Sequence, residues 1–544
     1  MSSFDIIIAV SCQLSVVSWG SAILRFLSSV FRLPSPALLT LTISILLSLQ
    51  VAASAPAQSQ AEGGFPMGVN LTSVCYWSTE NPFVDFFKQS QPWQAQKKGA
   101  VYGKGGTLDL DANGWIRSLQ PGQWADVLMC RNNGHYPAGE YICLYDGEGR
   151  INFGFDARVK DRQKGRIVLQ VSPSRAGILL RLVETDPSNP IRNIRLIAPG
   201  FENTYKSTVF NPAFLKRWEG FKVIRFMDWM RTNNATVETW DQRPTPQIQT
   251  QGGNKGVALE YMILLANRLK ASPWFCMPHE ASHDYVENFA KMVKEKLDPS
   301  LKVYVEYSNE VWNFQFEQAR YASRVGQGMK LSDDPFEAGL FFYAKRSEEI
   351  FQIWEDVFGN SDRLVRVLAA QSGNPWTSEK ILGFEKAYES ADALAVAPYF
   401  GAHLGKPETQ AEVAKLSVRE ILSRCKAHMA ENHRQVAIHA SKAKKHGMDL
   451  IAYEGGQHLV GTGGAENNQE LTALFIAANR DPEMKALYLE DLKGWQKSGG
   501  KLFATFSSMG LYGKWGSWGL LQHPDQNPAT APKYQAIMEF MGKQ

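Results

Sequence analysis

A chain of 544 residues exceeds one ordinary compact core, so a large folded unit with a smaller companion is expected. Its 44 % apolar and 21 % charged residues exclude wholesale disorder. A net charge of +4 with no Lys/Arg run points to neither nucleic acid nor an anionic membrane surface as partner.

The first sixty residues stand apart. An uncharged stretch, 33–61, follows Arg25 and Arg32 and contains Ala55-Pro56-Ala57, the pattern of a signal peptide with an A-x-A cleavage site. The mature chain is then expected to start near Gln58, secreted or periplasmic. A second uncharged run, 6–24, is long enough to span a bilayer but is diluted by Ser, Gln, Cys and Gly. It is either a first membrane helix, which would anchor the protein, or sequence upstream of the true start. Export is expected in both cases, with the membrane reached only through an uncleaved leader, residues 1–57.

Residues 58–100 hold a strand at 65–74 and an aromatic loop with Tyr76, Trp77 and Trp93. From 101 to 200 short alternating runs are divided by turns such as Gly105-Gly106, Asn113-Gly114, Pro121-Gly122 and Asp186-Pro187, with strands at 167–171 and 178–183. This spacing predicts a β-sandwich. Over 201–544 strands alternate with amphipathic helices. The strands fall at 222–226, 274–277, 302–308, 364–370, 393–398, 449–453 and 502–506, and helices at 258–270, 284–296, 338–357, 418–445 and 468–498. Such alternation demands parallel strands with helical crossovers, and the first strand brings the count to the eight that close a (β/α)8 TIM barrel. The predicted fold is α/β, a barrel with the sandwich inserted after its first strand. A doubly wound sheet is the rival, but no Gly-rich phosphate loop follows any strand.

None of the six cysteines has C-x-x-C spacing, which argues against structural zinc. Cys130 and Cys143 flank Asn132-Asn133-Gly134, read as a hairpin turn, and are either a disulfide or two buried thiols.

Chemistry in a barrel sits where strands end. The fourth strand runs out through Glu306, Ser308, Asn309 and Glu310, and the seventh through Tyr453, Glu454 and Gly455. Alternation puts Glu306, Ser308 and Glu310 on one face and Leu450, Ala452 and Glu454 on one face. Two inward carboxylates facing across the mouth suit a retaining glycosidase, which holds its pair about 5 to 5.5 Å apart.

These strand ends resemble the clan of retaining (β/α)8 glycoside hydrolases that includes cellulases and mannanases. There the fourth strand ends in Asn-Glu, the acid/base, and the seventh in the nucleophile, matching Asn309-Glu310 and Glu454 here, while Glu306 matches a carboxylate four residues earlier. The resemblance covers the barrel, about two thirds of the chain. It implies that Arg225, His279 and Tyr399 neighbour the nucleophile and that Asn309 bonds the sugar 2-hydroxyl. Glu454 would attack the anomeric carbon and Glu310 would protonate the leaving oxygen and then activate water. That requires a raised pKa at Glu310 and an ionised Glu454, the latter helped by Arg225 and Tyr399. The substrate would be a β-linked polysaccharide or oligosaccharide, and double displacement needs no metal or organic cofactor. Among the fifteen tryptophans, Trp229, Trp274, Trp312, Trp376, Trp515 and Trp518 are candidate sugar platforms. Two departures leave the subfamily open. Val311 stands where cellulases carry Pro, and no Trp closes the eighth strand, where Phe506-Ser507 stand instead.

Two rivals are weighed against this reading. His279-Glu280-Ala281-Ser282-His283 satisfies the H-E-x-x-H zinc protease pattern, but Pro278 precedes it and Ser282 and Asp284 look like a helix start, whereas zinc chemistry needs both histidines within a helix. The other is a non-catalytic carbohydrate-binding protein on a barrel scaffold, disfavoured by the presence of both glutamates.

Overall fold

The computed structural model describes residues 64–543. The leader reading and Cys12 lie outside them. Eight strands form a closed parallel barrel: β1 Met67–Asn70, β2 Val223–Arg225, β3 Ser272–Met277, β4 Val303–Tyr307, β5 Leu364–Ala369, β6 Ala393–Val396, β7 Asp449–Ala452 and β8 Gly500–Thr505. β1 closes the ring by pairing with both β2 and β8, Gly68 opposite Val223 on one side and Ala504 on the other. These strands are buried on both faces, as parallel strands sheathed by helices must be, which explains apolar runs such as Val367–Ala369 and Ala393–Val396.

Local chemistry sets the helix limits. Ser282 caps His283–Lys296 by accepting from the Tyr285 amide. Asp334 and Pro335 open Pro335–Phe358, and Gly359 closes it at φ 82°, a left-handed conformation. Ser417 and Glu420 form a capping box on Val418–Lys445. The single helix expected at 468–498 is two, Gln469–Arg480 and Glu483–Lys497. Pro482 lacks the amide an uninterrupted helix requires there.

Between β1 and β2 lie two four-stranded sheets. One orders Gln94–Lys97, Gln123–Met129, Ile178–Thr185 and Gly149–Phe155; the other orders Arg192–Ile197, Gly139–Asp146, Arg166–Val171 and Ala157–Gln163. Their inner faces meet in one apolar cluster, with Val127, Ile151, Leu180 and Leu182 from the first sheet and Tyr141, Cys143, Ile167, Leu169 and Leu196 from the second. Alternation along Ile178–Thr185, where Ile178, Leu180 and Leu182 are buried, is the period-two pattern of such a layer. The first of these strands begins at Gln94, within the segment read as a loop of the barrel. The turn at Asn132-Asn133-Gly134 is not a hairpin: the strands on either side belong to different sheets. Cys130 and Cys143 are both free, buried thiols in the shared core.

The chain leaves for the insertion and returns from it side by side. Phe83 bridges Phe210 with rings stacked at 5.6 Å, and the Asp85 carboxylate accepts from the Leu196 amide at 2.8 Å. Among the described residues no helix is long and apolar enough to cross a membrane.

Candidate active site

Arg225, the last residue of β2, organises the C-terminal mouth of the barrel. It is fully buried, and all five of its N–H groups are used. One terminal nitrogen donates to Glu454 Oε1 at 2.9 Å and Asn70 Oδ1 at 3.1 Å, and the other to Glu306 Oε2 at 2.8 Å and Asn309 Oδ1 at 2.9 Å. Nε donates to Glu306 Oε2 at 3.3 Å. One planar cation thus ties together the ends of β1, β2, β4 and β7. The Trp274 and Tyr453 rings lie 5.3 and 5.1 Å from the guanidinium, favourable cation–π distances in a dry site.

Glu310 does not reach the mouth by strand alternation. β4 ends at Tyr307, and Ser308 and Glu310 both take left-handed backbone conformations, at φ 56° and 45°, on either side of Asn309. These turns separate the three residues that alternation put on one face. Glu306 lies in the core on Arg225, whereas half-buried Glu310 accepts from the Tyr453 hydroxyl at 3.0 Å and the Asn313 amide at 2.9 Å. Glu454 is 6 % exposed and receives the Arg225 bond on one oxygen and the Tyr399 hydroxyl, at 3.0 Å, on the other. Tyr453 and Glu454 are consecutive, so one short segment after β7 contacts Glu310 with one residue and presents the second carboxylate with the next.

The charge balance differs from expectation. Burial pushes the Glu454 carboxyl up to about 8, Arg225 and the Tyr399 hydrogen bond pull it down, and the Glu310 charge adds to the rise. Burial also raises Glu306, again against Arg225. A single cation is shared by two buried carboxyls. Glu306 has the richer donor set, with Trp274 Nε1 at 2.8 Å and Cys276 Sγ at 3.5 Å on the same oxygen as Arg225. Glu306 therefore claims more of the cation, and Glu454 keeps a proton to higher pH than a solvated carboxyl does. Tyr399 and Tyr453 are raised well above the ordinary phenol value, chiefly by burial and then by the neighbouring carboxylates, and stay protonated as donors.

The remaining candidates divide. Asn309 is buried, with its amide held between Arg225 and Asn233, whose Oδ1 accepts at 3.0 Å. His279 is not among the partners of Glu454: it is buried with no hydrogen bond to either ring nitrogen, edge-on to Tyr321 at 5.3 Å. The zinc protease pattern fails on geometry, since the helix begins at exposed His283 and leaves His279 ahead of it. Trp229 and Trp274 are wholly buried and are not platforms. Trp312 is nearly buried, 6.1 Å from the Tyr453 ring. Trp376 is partly exposed, with Phe336 stacked on it and Lys380 5.3 Å from its centroid. Trp515 is 71 % exposed. Trp518, on the loop after β8, stands edge-on to Tyr399 at 5.9 Å and to Phe506 at 5.7 Å.

A cavity of 420 Å³ opens beside these rings, walled by Trp77, Trp515, Trp518 and Phe506 and by the polar Ser73, Thr79 and Asp228. Asn70, Tyr453, Asn313, Asp228 and Trp77 were missed as site residues. Asn70 closes β1, a position that the strand-end rule marks. Alternation puts Tyr453 off the face of Leu450, Ala452 and Glu454, a rule that lapses once β7 ends at Ala452.

No protein-family model and no curated protein matches the chain. Solved structures do. A GH51 arabinofuranosidase from Xanthomonas axonopodis pv. citri is 12 % identical, covering 59 % of this chain and 64 % of its own, at a TM-score of 0.39. A 4-O-α-L-rhamnosyl-β-D-glucuronidase from Fusarium oxysporum 12S is 12 % identical over 60 % of this chain and 64 % of its own, TM-score 0.39. A GH10 endoxylanase from a sugarcane soil metagenome is 11 % identical over 60 % and 90 %, TM-score 0.34. The chain spans under two thirds of the first two.

Proposed function

We propose that this chain is a glycoside hydrolase that cleaves a β-linked polysaccharide or oligosaccharide by retaining double displacement. The observation that supports it is the pairing at the mouth: Glu310 after β4 and Glu454 after β7, joined through Tyr453 and backed by Arg225. Glu454 in its ionised form attacks the anomeric carbon and forms a glycosyl-enzyme; Glu310 protonates the departing oxygen, then takes the proton of the incoming water. Arg225 and Tyr399 offset the charge on Glu454 before attack and after release. The aromatic and polar walls of the neighbouring cavity suit a sugar, with ring faces for its C–H surfaces and hydroxyls and a carboxylate for its O–H groups. The leader pattern supports action outside the cytoplasm.

The test is hydrolysis of a panel of β-glucans, mannans and xylans by the wild type and by Glu310→Gln and Glu454→Gln. Each variant is expected to lose orders of magnitude in turnover while remaining folded. Undiminished hydrolysis in both would sink the proposal.

A further inference from the structure

His135, His523 and Asp525 bring one ligand atom each within 4.8 Å of one another, outside the site described above. We propose that this cluster binds a late first-row divalent metal, zinc in the first instance, and staples the inserted sandwich to the loop that follows the aromatic wall of the cavity. Two imidazole nitrogens and a carboxylate suit zinc, nickel or copper, whereas magnesium and calcium prefer an all-oxygen shell.

The donors are already gathered. His135 Nδ1 lies 2.9 Å and His523 Nδ1 2.7 Å from the same Asp525 oxygen. Ligand atoms about 2.1 Å from a tetrahedral zinc stand roughly 3.3 Å apart, so each of these two contacts has to open by about half an ångström. The two rings stack at 3.8 Å, and one must tilt to aim both lone pairs at a single ion. Exposed Asp525 leaves water access for the remaining position.

Both sides are fixed in advance. The His135 carbonyl accepts from the Asn81 and Asn132 side-chain amides, at 3.1 and 3.3 Å. On the other segment the Gln522 carbonyl accepts from Thr79 Oγ1 at 2.7 Å, its side chain accepts from Arg480 at 2.7 Å, and Arg217 donates to the Pro524 carbonyl. A site whose supporting shell is built beforehand needs little reorganisation on binding. An ion here joins residues 390 positions apart and fastens the segment leading out of Trp515 and Trp518. None of this depends on the hydrolase reading.

The full chain, stripped with a chelator and dialysed, is titrated with zinc chloride by calorimetry and melted with and without zinc. One equivalent should bind and raise the melting temperature by several degrees. His523→Ala and Asp525→Asn should each weaken binding at least tenfold and remove the shift, and His135→Gln should do the same from the sandwich side. His283→Ala, in the H-E-x-x-H pattern, should leave both intact. Absence of a saturable equivalent, binding undiminished in the cluster variants, or calcium bound as tightly as zinc would overturn the assignment.

Discussion

Glu80 offers a sharp test of the packing at the mouth. It lies on the segment after β1, is 2 % exposed, and accepts from Trp218 Nε1 and Ser508 Oγ, both at 2.9 Å. Neither partner is a cation. Burial pushes its carboxyl from 4.5 up to about 8, against these two bonds. The folded pKa exceeds the unfolded one, so the protonated form is favoured by folding. Its contribution is fully present below pH 4.5 and is lost as pH rises through about 8. At about 1.36 kcal/mol per pH unit the interval is worth about 5 kcal/mol, a ceiling that water entry would lower. Glu80→Gln keeps an acceptor for Trp218 and a donor for Ser508 but cannot ionise. Urea unfolding of the wild type and the variant from pH 5 to 9 isolates this group, because the other buried carboxyls are common to both. Stability of the wild type relative to the variant should fall steadily with pH, the variant being the more stable at pH 9. Parallel curves would refute the reasoning.

Other outcomes follow from the same structure. Arg225→Met should destabilise the fold by about 3 to 5 kcal/mol by stranding Glu306 and Glu454, and should abolish turnover; melting curves and kinetics check both. The raised Glu454 carboxyl should place the acid limb of the kcat/KM profile above the ordinary carboxylate range. Tyr399→Phe, which removes a bond to the charged form, should move that limb further up; a limb near 4.5 in the wild type would contradict this. Trp515→Ala should change stability by less than about 0.5 kcal/mol, since the ring is largely exposed, but should raise KM for an oligosaccharide.

Much of this architecture is readable from periodicity. A barrel strand buried on both faces needs an apolar run, and a crossover helix needs an amphipathic one, so β2 to β8 fall where the runs are. Alternation fails where strands stop. Ser308 and Glu310 turn into left-handed conformations just past β4, so Glu306 and Glu310 share a sequence parity but not a surface. Tyr453, one residue beyond β7, likewise meets Glu310 although parity turned it away. Contacts between distant segments carry no local signal: Asn70 on Arg225, Trp518 against Tyr399, and the placing of Cys130 just after a strand of one sheet and Cys143 within a strand of the other all depend on closure of the barrel or the sandwich. Residue type alone also misled at Trp229 and Trp274, whose aromatic area the core absorbs. At Glu454 desolvation outweighs the cationic neighbour, and no local sequence pattern reports it.

Under the proposed mechanism Glu454 becomes covalently bonded to the sugar. The direct measurement is to inactivate the enzyme with activated 2-deoxy-2-fluoroglycosides of the sugar it hydrolyses, digest it, and locate the added mass by tandem mass spectrometry. A single glycosyl adduct on Glu454, formed in the wild type and absent from Glu454→Gln, is the predicted result. An adduct on another residue, or hydrolysis that releases product with inverted anomeric configuration, would contradict it.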